Sequence, residues 1–174
     1  WGYLVGTGIL LVPLVALVCV QVRARAFHPW IYWPTIVAST TAGTTLADLT
    51  TRTLFARVVH LDQDLSYAFA SLLLFACVLA TLGLWRRVLG SVGVDSVTHP
   101  KAEWFYWITV TFSQTLGTAL GDWTADSFGD ATWHVASWDI ESGYLFGALF
   151  FASALAALAA LRAFTDRKST RLNS

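Results

Sequence analysis

Two aspartates stand inside otherwise weakly charged stretches, each preceded by threonines at helical spacing. Asp48 follows Thr41, Thr44 and Thr45, and Asp122 follows Thr115 and Thr118, with Gln114 beside them. Residues three or four apart share one face of a helix, so each aspartate ends a polar stripe. A carboxylate with hydroxyls one turn away is a set of hard oxygen ligands, suited to a cation or to a proton shared between acids. Asp48, Asp122, Thr41, Thr44, Thr115, Thr118 and Gln114 therefore form the candidate ion or transport site. Plainer roles stand beside this one. A threonine hydroxyl inside a helix can bond back to a carbonyl one turn earlier. An aspartate at the outer end of a helix can serve as a cap or as an interhelical hydrogen-bond partner.

The elements that must carry these residues are membrane-crossing helices. The chain is 56% hydrophobic and only 13% charged over 174 residues, with mean hydropathy +0.58, where a soluble domain carries roughly 25% charged residues. Five apolar segments, at about 2–22, 31–55, 66–85, 104–126 and 143–163, each match the roughly 20 residues needed to cross a hydrocarbon core. The expected fold is all-α, a polytopic transmembrane bundle of about five helices. Arg23 and Arg25 follow the first segment, Arg86, Arg87 and Lys101 separate the third from the fourth, and Arg162 follows the fifth. Loop lysines and arginines mark the cytoplasmic side, so the loops after about residues 22 and 85 are expected to be cytoplasmic. Trp30, Tyr32, Trp33, Trp104, Tyr106 and Trp107 then fall at an inner aromatic belt, and Trp123, Trp133 and Trp138 at an outer one. Counted from Trp33 and Trp107, the two aspartates lie about 15 residues along, or roughly 22 Å at helical rise. A carboxylate at that depth costs about 2.5–3.5 kcal/mol on the most forgiving insertion scale, and should face a partner, water or an ion.

The two stripes are copies of one another. Trp33 with Ser39-Thr40-Thr41-Ala42-Gly43-Thr44-Thr45-Leu46-Ala47-Asp48 aligns without gaps on Trp107 with Ser113-Gln114-Thr115-Leu116-Gly117-Thr118-Ala119-Leu120-Gly121-Asp122. Each copy follows a His-Pro pair, His28-Pro29 or His99-Pro100, and Gly143-Tyr144-Leu145-Phe146-Gly147 echoes Gly2-Tyr3-Leu4-Val5-Gly6. The chain divides into the second helix of one repeat (1–27), two complete two-helix repeats (28–98 and 99–165) and a terminal stretch (166–174). Two crossings per unit return the chain to the same side, so the repeats are parallel. Trp33, Trp107, Gly43 and Gly117 are read as structural residues of the repeat. Small residues at Ser39, Gly43, Ala47, Ser113, Gly117 and Gly121 allow close helix packing in a bilayer. Arg52, one turn beyond Asp48, is its nearest basic partner; the aligned residue is Asp126, so that pairing is not common to both repeats.

The tryptophan followed by a Thr-x-Gly-Thr-x-x-x-Asp pattern resembles the bacterial repeat of unknown function DUF347, whose members are multi-pass membrane proteins. The resemblance implies tandem units of two transmembrane regions, usually four, and a bacterial inner-membrane location. It brings no activity with it. Against that repeat number the chain is expected to be cut at both ends, with further repeats among its partners. Residues 166–174 read like a translated sequencing adapter and are set apart from functional reasoning.

Other chemistries find no foothold in the sequence. The net charge is zero, which gives no basic face for nucleic acid. Cys19 and Cys77 are isolated within apolar runs and read as packing residues. The acidic outer loop with Asp126, Asp130, His134, Asp139 and Glu141, and the cluster His60, Asp62 and Asp64, lack tight metal-ligand spacing. No lysine lies in a membrane segment to hold retinal, and neither a phosphate-binding loop, a zinc-protease motif nor a nucleophile elbow occurs. No cofactor and no enzymatic activity are expected. Two readings remain: a transporter of a cation or small solute, with or without proton coupling, through intramembrane aspartates; or a non-transporting membrane scaffold or regulatory protein.

Overall fold

The computed structural model describes residues 2–24, 28–92, 100–127, 132–135 and 138–172. The chain is helical almost throughout: α1 Gly2–Ala24, α2 Pro29–Asp48, α3 Gln63–Leu89, α4 Pro100–Ser127 and α5 Ser142–Leu172. Among the described residues, α1, α3 and Ser142–Thr165 of α5 are long and apolar enough to cross a membrane. The threonine-bearing α2 and α4 are long but more polar. Arg25, His99 and Asp130 lie outside the described residues, as do the side chains of Trp133, His134, Trp138, Asp139, Glu141 and 166–174.

Local chemistry sets the helix ends. Pro29 opens α2 after an extended His28; its fixed φ suits the first helical position, where no N–H is needed. At Leu49 the helix does not stop but widens into a π-helical stretch, Leu49–Val58. It closes with Val59 N–H donating to Leu54 O at 3.0 Å and a left-handed His60. α3 ends on Gly90 at φ 79°, whose N–H donates to Arg86 O at 2.9 Å. Glycine takes this left-handed closure without a Cβ penalty.

The chain forms two compact units, 1–120 and 121–174. In the first, burial is inverted relative to a water-soluble protein. Thr7, Gln21, Thr35, Ser39, Thr51, Ser71 and Thr115 are buried, while Ile9, Val12, Val15, Leu72, Phe75 and Leu79 are exposed. An apolar surface of this extent does not persist in water; it is the lipid-facing surface of an integral membrane protein. The apolar interior is small: Leu14, Val18 and Val22 pack with Ala42 and Trp107, and Ala47 packs with Leu74 and Ala119.

Helix directions follow from who meets whom. Tyr32 meets Tyr106, Ser39 meets Gln114, and Ala47 clusters with Ala119, so α2 and α4 run parallel, as tandem units of two helices require. α3 runs antiparallel to α4, with Leu74 beside Ala119 and Trp85 stacked on Phe105 at 6.2 Å.

The second unit holds the end of α4, a two-stranded hairpin and α5. β1 (Thr132–Val135) pairs antiparallel with β2 (Trp138–Glu141), Val135 opposite Trp138. The sequence predicts only an acidic loop there, because four residues per strand are too few for an alternating pattern to stand out. α5 begins hard against α4. A Cβ at Gly143 would collide with the Ala125 backbone, and one at Gly147 would meet Thr124 Oγ1 at 2.7 Å.

Candidate functional site

The repeated helix faces do not occupy equivalent places. In α2 the small stripe of Ser39, Ala42, Gly43 and Ala47 is buried, while Thr41 and Thr44 are exposed. In α4 the threonine stripe turns inward: Thr115 is fully buried and Thr118 half-buried. Gly43 lies against α4, where a Cβ would stand 3.2 Å from Thr115 Oγ1 and 3.4 Å from Thr115 N, whereas Gly117 has open space. The repeat tryptophans diverge most: Trp33 is 63% exposed and Trp107 2%. Two copies of one Trp, Gly, Thr and Asp spacing thus serve one helix that presents its glycine and one that presents its threonine.

All four candidate threonines spend their hydroxyl proton on their own helix. Thr41 donates to Val37 O at 2.9 Å, Thr44 to Thr40 O at 3.0 Å, Thr115 to Thr111 O at 2.8 Å and Thr118 to Gln114 O at 3.2 Å. Their oxygens keep lone pairs, so they remain acceptors and not donors toward a solute. Gln114 is engaged across the helix pair. Ser39 Oγ–H donates to Gln114 Oε1 at 2.8 Å, with Ile36 O also within 2.9 Å, so one proton is shared between two acceptors.

Asp48 is half-buried on the last turn of α2, and its Oδ1 accepts from Arg52 Nε at 3.0 Å. Arg52 reaches on through Nη2 to the Tyr67 hydroxyl at 3.4 Å. The carboxylate of the first repeat is therefore held by a guanidinium four residues on. Asp122 is half-buried on α4 in the second compact unit. Among the described residues no three His, Cys, Asp or Glu side chains gather as a metal site.

Several residues that matter here were not singled out as site residues from sequence. Tyr32 and Tyr106, read as belt aromatics, join by a hydrogen bond between their hydroxyls at 3.1 Å. Both rings also pack on Trp107, at 5.6 and 5.2 Å. Their signal was present, since each precedes a repeat tryptophan. Glu103 and Gln21 carried no such signal. Burial pushes the Glu103 carboxyl above its usual range, and Gln21 and Trp107 hold it back down. Trp107 Nε1–H nonetheless meets no acceptor at full hydrogen-bonding geometry, and Gln21 Oε1, also buried, finds no donor. Their hold on Glu103 is one of proximity more than of well-aligned bonds.

No curated protein and no solved structure matches the chain. The family profile described as Repeat of Unknown Function (DUF347) matches residues 31–90 and again 105–168. The two matches begin at the offset that separates Tyr32 from Tyr106, and between them they take in both threonine stripes and both aspartates. The chain belongs to the DUF347 repeat family.

Proposed function

We propose that this protein is a membrane transporter of a cation or other small solute, with Asp48 and Asp122 as its charged positions and a proton as a candidate coupling ion. The observation that carries this reading is the inverted burial of the first unit. Hydroxyls and an amide occupy the interior of a helix bundle whose outer surface is aliphatic, and a partly exposed carboxylate–guanidinium pair stands at the end of α2. Ionisable groups inside a membrane protein generally mark a solute or proton path, because the cost of placing them there must be offset by a function or a partner. The setting that goes with it is a bacterial inner membrane, with the arginine-rich connections after about residues 22 and 85 on the cytoplasmic side.

The test is flux. Purified protein reconstituted into liposomes is screened across monovalent and divalent cations and small organic solutes, with and without a proton gradient. The expected result is a protein-dependent flux that Asp48→Asn and Asp122→Asn reduce at least tenfold. Unchanged flux in both variants sinks the assignment to these residues.

A second reading, a non-transporting scaffold or regulatory protein, draws on the close Gly43–Thr115 packing and the back-bonded threonines. It expects no flux at all, with Asp→Asn altering stability or partner capture alone.

A further inference from the structure

We propose that the end of the first unit, where α1 begins, the π-helical stretch closes and α3 begins, holds an anion site for a carboxylate or phosphate group. A cavity of about 320 Å³ lies there, with Tyr3, Arg52, Arg57, Gln63, Ser66 and Tyr67 on its wall. That volume is at the small end for ligand pockets.

The wall carries two guanidinium groups and no carboxylate. Asp48 compensates only Arg52, and does so through Nε. One terminal nitrogen of Arg52, Nη2, points on to the Tyr67 hydroxyl. Arg57 is exposed and makes no hydrogen bond or ion pair among the described residues. The nearby acids, Asp62 and Asp64, and the neighbouring His60 are not on the wall. The cavity therefore holds one positive charge beyond what its own surroundings neutralise, in a planar form that matches carboxylate and phosphate oxygens in pairs. Gln63 and Ser66 belong to the opening turn of α3, whose exposed N–H groups and dipole also favour negative charge.

The aliphatic hydroxyls on the wall add no free donor. Thr51 and Ser66 give their protons to backbone carbonyls, at 2.9 and 2.8 Å, which leaves the guanidinium groups as the principal donors. The site belongs to the first repeat alone, because the residue aligned with Arg52 is Asp126. The Arg52–Asp48 pair thereby acquires a positioning role, holding one guanidinium at the cavity wall. The site does not rest on the transport reading, since equilibrium binding needs no flux.

The source of the oxyanion, a soluble solute or a lipid headgroup, is settled by two arms of one experiment. Protein in nanodiscs of zwitterionic lipid is titrated calorimetrically with inorganic phosphate and with succinate. In parallel, thermal midpoints are compared in nanodiscs with and without phosphatidylglycerol. Saturable binding of either soluble anion, weakened at least tenfold in Arg57→Gln and less in Arg57→Lys, supports a solute site. A midpoint raised by phosphatidylglycerol in the wild type but not in Arg57→Gln supports a headgroup site. Arg57 is exposed and unpaired, so its variant is expected to stay folded, with helicity by circular dichroism as the check. No response in either arm, or a response that Arg57→Gln leaves unchanged, overturns the proposal.

Discussion

The hydroxyls of Tyr32 and Tyr106, which occupy the same position in two successive repeats, meet at 3.1 Å. Each stands near the start of its helix, so this pair marks where α2 and α4 converge. Removing one hydroxyl breaks the bond and leaves the other phenol half-buried beside Trp107. Hydrogen bonds between membrane helices average about 0.6 kcal/mol and reach about 1.7. Tyr32→Phe and Tyr106→Phe are each expected to destabilise the protein within that range. The double variant should cost little more than either single one. Unfolding in mixed micelles, arranged as a double-mutant cycle, checks this; additive losses would mean that the hydroxyls act separately.

Beyond that crossing, the repeat glycines should respond oppositely to substitution. A Cβ at Gly43 already presses on Thr115, and a branched side chain would have to part α2 from α4. Overpacking of this kind costs about 1–3 kcal/mol, so Gly43→Val is expected to lose that much. Gly117 has nothing within 4 Å. Gly117→Ala should be neutral or stabilise α4 by up to about 1 kcal/mol through helix propensity. Thermal midpoints of the two purified variants decide it, and equal losses at both would contradict the asymmetry of the repeats.

That asymmetry is the part of the fold that the sequence could not disclose. The helices were legible because runs of about 20 apolar residues have few alternatives in a bilayer. The repeat was legible because Trp, Gly, Thr and Asp recur at one spacing. Which face of each helix is buried was not, since lipid and protein interior both accept leucine and valine and polarity does not tell them apart. Trp33 and Trp107 sit in nearly the same local sequence, and only their neighbours make one exposed and the other buried. The π-helical winding at Leu49 is likewise invisible in composition. For the site, Asp48 and its partner Arg52 could be paired by spacing alone. Tyr67 reaches Arg52 from another helix, and no local pattern points to it.

The Asp48–Arg52 pair is expected to contribute modestly to stability. Its side chains are 25% and 46% exposed, and exposed ion pairs contribute about 0.2–1 kcal/mol. Asp48→Asn and Arg52→Gln should each destabilise within that range, and the coupling between them should shrink as salt is raised from 0.15 to 1 M, over which the screening length falls from about 8 to about 3 Å. A double-mutant cycle of detergent unfolding at the two salt concentrations measures this. A coupling of several kcal/mol that ignores salt would place the pair in a far drier environment than its exposure indicates.

Glu103, one residue before the apolar stretch of α4, gives a pH signature of defined sign. Burial raises its carboxyl above the ordinary 4.5, against the opposing pull of Gln21 and Trp107. Between 4.5 and that raised value the folded protein binds more proton than the unfolded one. Stability must then fall as pH rises through this window and level off above it. This is opposite in sign to a carboxylate held by a salt bridge. Glu103→Gln replaces the acid by a neutral group of the same shape and should remove that slope. Thermal midpoints across a pH series that starts below 4.5 supply the test, taken as the difference between wild type and variant so that the histidines and other acids cancel. The wild type should lose stability relative to Glu103→Gln as pH rises, and a difference that does not vary with pH would show that the carboxyl titrates alike in the folded and unfolded chain.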